Sequence, residues 1–240
     1  MRLVKSLRIL ITGGSSGIGA ATAELLATKG HRIFMMSRNS EAMRSLSQEL
    51  PEGNIRWATV DVSDHEAVRE AVEIMVTEFG GIDVCIPNAG LGIFAPLIEA
   101  RFEDWKKMVD VNVIGVLSTL YAALPSLVDN KGHIIQIGSI AARNVFPNSG
   151  VYCATKHAVL ALSESLRIEF REDLAITTIN PGAVNTAFID QTRNTDLRES
   201  YRPKFKAGMD PKFIAEAIDQ AIESHGKGVY SEITLRPDRR

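Results

Sequence analysis

The chain has 240 residues, a formal net charge of −2 and 45% hydrophobic residues. A chain of this length buries roughly 70–75% of its unfolded surface, which suffices for one sizeable core. Its near-neutral charge gives no electrostatic reason to expect nucleic acid or an anionic membrane as partner.

From the start of the chain, short apolar runs alternate with helical patterns. The runs predict strands over 7–12, 31–37, 55–60, 82–87, 132–138, 175–180 and 228–235. The stretches between them predict helices over 17–29, 41–50, 64–79, 103–127, 151–171 and 211–224. This alternation is the signature of an α/β fold, a Rossmann-type doubly wound parallel sheet of about seven strands with helices on both faces. No linker, repeat or low-complexity segment divides it, so residues 1–240 read as a single domain. Arg2, Lys5 and Arg8 interrupt the beginning, which argues against a signal peptide, and no uninterrupted apolar run approaches the length of a membrane span. The expected location is the cytosol. Cys85 and Cys153 make no disulfide framework, and no Cys/His cluster has metal-ligand spacing, so no metal is expected.

The first strand runs into Thr12-Gly13-Gly14-Ser15-Ser16-Gly17-Ile18-Gly19 and then into helix formers. Glycines let a backbone approach a pyrophosphate closely, and the free N–H groups of the helix start carry partial positive charge towards it. The spacing is Gly-x-x-x-Gly-x-Gly, not the usual dinucleotide fingerprint, and flexible turns use the same residues. Gly13, Ser15, Ser16, Gly17, Ile18 and Gly19 are the candidate contacts.

Tyr152 and Lys156 stand one helical turn apart, with Ser139 thirteen residues before the tyrosine. An ammonium at i+4 shares the tyrosine's helix face, about 5–6 Å away at the Cβ level. At an effective dielectric of about 20 it favours phenolate by about 3 kcal/mol, or roughly two pKa units below the usual value of about 10. The phenol then comes into range for passing a proton to and from an alcohol oxygen, which Ser139 can hold. Taken alone, the pair means little and reads first as a surface Tyr/Lys contact; the glycine turn changes that.

Thr12-Gly13-x-x-x-Gly17-x-Gly19, Asn88-Ala89-Gly90, Asn112, Ser139, Tyr152-x-x-x-Lys156 and Pro181-Gly182 together resemble the motif series of the short-chain dehydrogenase/reductase family. The motifs occur in the family's order and cover residues from about 7 to 186, with a looser fit to the family's lid (183–209), last helix and last strand. The resemblance implies an oxidoreductase that uses a nicotinamide dinucleotide. It makes Asp61-Val62 the adenine-pocket pair, with Asp61 accepting from the amino group, and sets Asn88-Ala89-Gly90 beneath adenosine and the nicotinamide ribose. Pro87 stands where the family often has another Asn. Pro181-Gly182 open the nicotinamide loop, in which the Val184 backbone and Thr186 hydroxyl face the carboxamide. Lys156 binds the nicotinamide ribose as well as tuning Tyr152. Asn112 resembles the family residue that kinks its helix and orders a water feeding protons towards the lysine. The plain alternatives are a helix cap near residue 64 for Asp61, a simple turn at Pro181-Gly182, and a polar residue satisfied inside a helix for Asn112.

The end of the second strand bears on the cofactor. A preference for the unphosphorylated dinucleotide usually comes with Asp or Glu there, accepting from the ribose hydroxyls. This chain has Ser37 and then Arg38, whose guanidinium suits a 2′-phosphate and can stack on adenine. NADP is the expected cofactor; a solvated loop arginine is the alternative.

Substrate class is less legible. By analogy the pocket loops are 91–97, 140–150 and 183–209, offering Phe94, Ile140, Val145, Phe146, Phe188 and Phe205, which suit an apolar carbonyl compound. Arg143, Arg193, Arg198 and Arg202 are candidates for meeting a carboxylate. The ending Glu232-Ile233-Thr234-Leu235-Arg236-Pro237 lacks the double glycine often seen in the family's acyl-carrier-protein reductases and looks more like its small alcohol and 3-hydroxy acid dehydrogenases. The expectation is an NADP-dependent alcohol dehydrogenase or carbonyl reductase for a small or medium substrate. A 3-oxoacyl-acyl-carrier-protein reductase and a non-catalytic dinucleotide-sensing protein are the alternatives. The helices at 103–127 and 151–171 are apolar on several sides, which predicts a homo-oligomer, tetramer or dimer.

Overall fold

Alternation along the strands decides the layers in a computed structural model that describes residues 6–51 and 53–238. In β1 (Arg8–Thr12) and β2 (Arg32–Ser37), Ile9, Ile11, Ile33 and Met35 point into one core cluster, whereas Leu10, Phe34 and Met36 point into another. Successive side chains of a strand face opposite sides, and only a sheet covered on both faces needs apolar residues at every position. The remaining strands are β3 (Ile55–Thr59), β4 (Val84–Ile86), β5 (His133–Ile137), β6 (Ala175–Pro181) and β7 (Glu232–Leu235). All seven are parallel, in the order β3-β2-β1-β4-β5-β6-β7. The fold is the expected Rossmann-type doubly wound sheet.

On one face lie α1 (Gly17–Thr28), α2 (Ser40–Gln48) and α8 (Pro211–Glu223); on the other lie α3 (His65–Phe79), α5 (Gly115–Asp129) and α6 (Gly150–Glu169). Each fully buried aliphatic or aromatic side chain, Leu26 and Ile218 on one side or Val68 and Leu127 on the other, contributes about 1.5–3 kcal/mol by leaving water. The chain reverses its winding between β1 and β4, so the crevice at their carboxyl ends is the topological switch point where ligands bind in such sheets.

Three local differences from the sequence reading matter. The helix expected over 103–127 begins as α4 (Phe102–Val109), passes through a π-helical turn at Asp110–Ile114, and continues as α5. An additional helix, α7 (Thr195–Lys206), occupies the 183–209 segment, started by Asn194 accepting a hydrogen bond from the Leu197 amide. The last strand begins at Glu232, not 228, because the chain turns through Gly226 and Gly228 beforehand. The continuous helix Phe102–Asp129 is also long and apolar enough to cross a membrane on length and composition alone, with a mean hydropathy of 1.7 in its most apolar window. Its packing against α3 and α6 accounts for that character. Arg2 and Lys5, two of the charges set against a leader segment, lie outside the described residues.

Candidate active site

The turn between β1 and α1 is built to bring backbone against a ligand. Gly17 has φ +52°, in the left-handed region, and a Cβ on Gly19 would come within 2.2 Å of the Gly13 carbonyl oxygen. Ser16 caps α1 without a side-chain hydrogen bond, and the first turn carries no acidic residue, so no side chain of its own competes for the leading N–H groups. An anionic pyrophosphate fits this arrangement. The next loop is tied to it: Thr12 Oγ1 accepts from the Asn88 and Ala89 amides, each at 3.0 Å. Asn88 Nδ2 in turn donates to the Thr12 carbonyl at 2.9 Å. Thr12 thus clamps the two loops of the switch point together, a task its place in the glycine motif did not reveal.

One cleft of about 720 Å³ is lined by every predicted cofactor residue except Gly19, which lies behind the turn, and by three of the four predicted catalytic residues. At one end stand Ser15 and Ser37, hydroxyl to hydroxyl at 2.6 Å, with Arg38 beside them. Arg38 Nη1 is 3.6 Å from Asp61 Oδ2, and both side chains are around half exposed, so solvent screens the pair and it holds the guanidinium only weakly. Asp61 does not cap the following helix. Its Oδ1 accepts from the Ser63 amide and hydroxyl, and Asp64 caps α3 instead. Val62, Gly90, Pro181, Gly182, Val184 and Thr186 also line the cleft.

The catalytic candidates meet at the carboxyl ends of β5 and β6. Ser139 follows β5, and its amide donates to Asn180 Oδ1 at 3.2 Å while Asn180 Nδ2 donates to Glu232. Ser139 Oγ accepts from the Ala141 amide at 3.1 Å, which leaves its proton free to donate. That hydroxyl and the Tyr152 phenol on α6 line the same cleft. Lys156, buried one turn along, donates from Nζ to the Ile137 carbonyl at 2.9 Å. Asn112 sits behind the cleft wall at the centre of the π turn. Its Oδ1 accepts from the Leu91 amide at 2.8 Å, and its Nδ2 donates to the Leu91 carbonyl and to Thr155 Oγ1. The helix is thus distorted at the residue expected to kink it, and Asn112 is also fully satisfied by protein groups.

The electrostatics correct one expectation. Burial pushes the Tyr152 phenol up to about 12, with the Ser139 hydroxyl acting in the opposite direction, and burial pulls the Lys156 ammonium down to about 8. Desolvation penalises the charged form of each group, so in the chain by itself the phenol moves up and not down as the spacing of Tyr152 and Lys156 suggested. Cys85 is buried filler whose thiol burial pushes up to about 12, and Cys153 is buried against Ser149. Among the described residues no cluster of His, Cys, Asp or Glu suits a metal.

The substrate end is aromatic. Phe94, Ile140, Phe146, Phe188 and Phe205 line the cleft as expected, while Val145 is exposed outside it. None of the four arginines proposed for a carboxylate reaches the cleft; each is engaged by the chain's own acids. Arg143 pairs with Glu232, Arg193 with Asp104, Arg198 with Glu199, and Arg202 with Glu199 and Asp190. Tyr201 and Lys204 of α7 line the cleft instead. The signal that could have found Tyr201 is the stripe Leu197, Tyr201 and Phe205 at four-residue spacing, half-buried along α7, whereas Lys204 stands beside that stripe.

Known proteins agree with this geometry. Residues 8–197 match the family described as short chain dehydrogenase. The chain is 35% identical over 241 residues to an uncharacterised oxidoreductase of Staphylococcus saprophyticus, covering 99% of this chain and 98% of the relative. An alcohol dehydrogenase from the archaeon Thermococcus sibiricus, solved with 5-hydroxy-NADP, superposes with a TM-score of 0.87 at 32% identity over 97% of both chains. A serine dehydrogenase from Escherichia coli does so with a TM-score of 0.83 at 28% identity, over 95% of this chain and 97% of that one. With the family match spanning residues 8–197 and relatives matched over nearly their whole length, the chain belongs to the short-chain dehydrogenase/reductase oxidoreductases.

Proposed function

We propose that the protein is an NADP-dependent carbonyl reductase or alcohol dehydrogenase for a small or medium substrate. The observation that carries this reading is the grouping of Ser139, Tyr152 and Lys156, the last two one helical turn apart, on the same cleft that the glycine turn lines. Bound NADPH supplies the hydride. Ser139 donates to the carbonyl oxygen and holds it, and Tyr152 gives its proton to the alkoxide that develops there. With its phenol pushed up to about 12, Tyr152 stays protonated at neutral pH, the form that reduction requires. Lys156 holds the ribose and keeps a positive charge near the phenol. The 2′-phosphate preference rests on Arg38 and on the absence of an acidic residue at the end of β2. Residues 183–209 act as the lid, and the reading places the enzyme in the cytosol. The test is a panel of ketones, aldehydes and alcohols followed by NADPH absorbance. Turnover restricted to acetoacetyl thioesters would favour an acyl-carrier-protein reductase, and no turnover with any of them would favour a non-catalytic dinucleotide binder.

Two further outcomes follow from this reading. The kcat/KM for NADPH reports groups of the free enzyme. Lys156 is protonated below its lowered pKa of about 8, so this parameter should fall as pH rises through that value. A profile flat between about pH 7 and 9 contradicts the assigned role of Lys156. The second outcome concerns assembly. Phe102, Leu117 and Tyr121 on the α4–α5 helix and Ile168 on α6 expose apolar surface beyond what the core uses. Such patches mark interaction sites, and light scattering should report a dimer or tetramer; a strict monomer at micromolar concentration would refute this.

A further inference from the structure

Building on the carbonyl-reductase reading, we propose that the substrate has a flat apolar body with its reacting carbonyl at one end and an anionic group at the other, met by Lys204. Phe94 is the hub of the wall that would hold that body. Its ring centroid lies 5.9 Å from Tyr152, 5.5 Å from Tyr201 and 6.4 Å from Phe205. Phe188 lies 5.4 Å from Tyr152 and 6.1 Å from Phe205, stacked on the latter at 29°. Gly92 makes room for this arrangement, since a Cβ there would come within 2.6 Å of the Phe188 ring. The rings run from the catalytic phenol outward to the lid helix, and offset or edge-on rings are the partners that flat apolar groups prefer.

Polar groups along this wall are already engaged by the chain. Tyr201 donates to the Pro147 carbonyl, Ser149 Oγ to the Phe146 carbonyl, and Gln191 Oε1 accepts from Lys107 Nζ. Recognition by polarity therefore concentrates at the two ends, Ser139 and Tyr152 at one and Lys204 at the other. Lys204 Nζ lies 5.4 Å from the centroid of Phe146, which lines the same cleft, and no ion pair to it occurs among the described residues. It differs on both counts from the four arginines, which are neutralised and face elsewhere. Two ring contacts separate Tyr152 from Phe205, the residue next to Lys204. An acid whose carboxylate sits on the reacting carbon cannot engage both ends, whereas one with a ring between carbonyl and carboxylate can.

The experiment compares acetophenone with para-acetylbenzoate, which share a body and differ in the anion, at saturating NADPH. The wild type should favour para-acetylbenzoate in kcat/KM, and added salt should shrink the preference. Lys204→Met should lower the ratio of the two kcat/KM values by about 10- to 150-fold through the KM of the acid, the range expected for loss of a hydrogen bond to a charged group. Lys204→Glu should invert the preference. The ratio is internal to each variant, so a partly misfolded preparation does not distort it. Reduction of acetophenone with no preference for the acid, or with a ratio unmoved by either substitution, overturns the inference and leaves the carbonyl-reductase reading standing. Reduction of neither ketone, nor of any carbonyl in the wider panel, overturns both.

Discussion

Replacing Tyr152 with Phe should lower kcat for carbonyl reduction by about 10²- to 10⁴-fold, the usual contribution of general acid–base catalysis, while NADPH binding stays close to that of the wild type. The substitution removes only the hydroxyl. The ring contacts with Phe94 and Phe188 remain, so the substrate wall is preserved. Ser139 keeps its acceptor bond from the Ala141 amide and can still hold the carbonyl oxygen. Without the phenol, the proton must come from water in a cleft shaped to hold substrate. Retention of more than about a tenth of kcat would rule out Tyr152 as the acid. Lys156→Ala should behave differently and raise KM for NADPH as well as lowering kcat, because the same ammonium is assigned to the ribose.

The second large effect concerns cofactor choice. Wild-type enzyme should show a higher kcat/KM with NADPH than with NADH, and Arg38→Ala should reduce that ratio by about 10- to 150-fold, chiefly through KM for NADPH. Arg38 is held only by a long, half-exposed contact with Asp61, so little opposes its turning to a phosphate. Ser37→Asp should go further, since a carboxylate beside Ser15 repels the 2′-phosphate and offers the NADH ribose an acceptor. If the wild type already prefers NADH, the assignment of Arg38 fails, although the chemistry at Tyr152 survives it.

The sheet was legible in the sequence because its information is local. A buried parallel strand needs apolar residues at nearly every position, and runs such as Arg8–Thr12 and Arg32–Ser37 carry that pattern without reference to the rest of the chain. The glycine turn was legible for a similar reason: a left-handed φ at Gly17 and a backbone contact at Gly19 exclude other residues. What escaped depends on long-range packing. Apolar periodicity passes straight through the π turn at Asp110–Ile114, so only the pairing of Asn112 with Leu91 and Thr155 marks it. Arg143 and Arg193 looked available because their partners, Glu232 and Asp104, each lie 89 residues away, whereas the acids that engage Arg198 and Arg202 are close by in the chain. Helix α7 fully buries no residue; its short stripe of Leu197, Tyr201 and Phe205 sits among charged residues, and nothing in it distinguishes Lys204 from the exposed cations around it. The raised Tyr152 pKa follows from burial, which no helical spacing can predict.

The central claim is direct hydride transfer from the nicotinamide to a carbonyl carbon beside Tyr152. Reduction of para-acetylbenzoate with NADPH deuterated at nicotinamide C4 on the transferred face, followed by mass spectrometry of the alcohol, tests it most directly. The account predicts one deuterium at the carbinol carbon of the product, and loss of that product in Tyr152→Phe. Unlabelled alcohol from fully deuterated cofactor, or labelled alcohol formed equally fast by Tyr152→Phe, would contradict it.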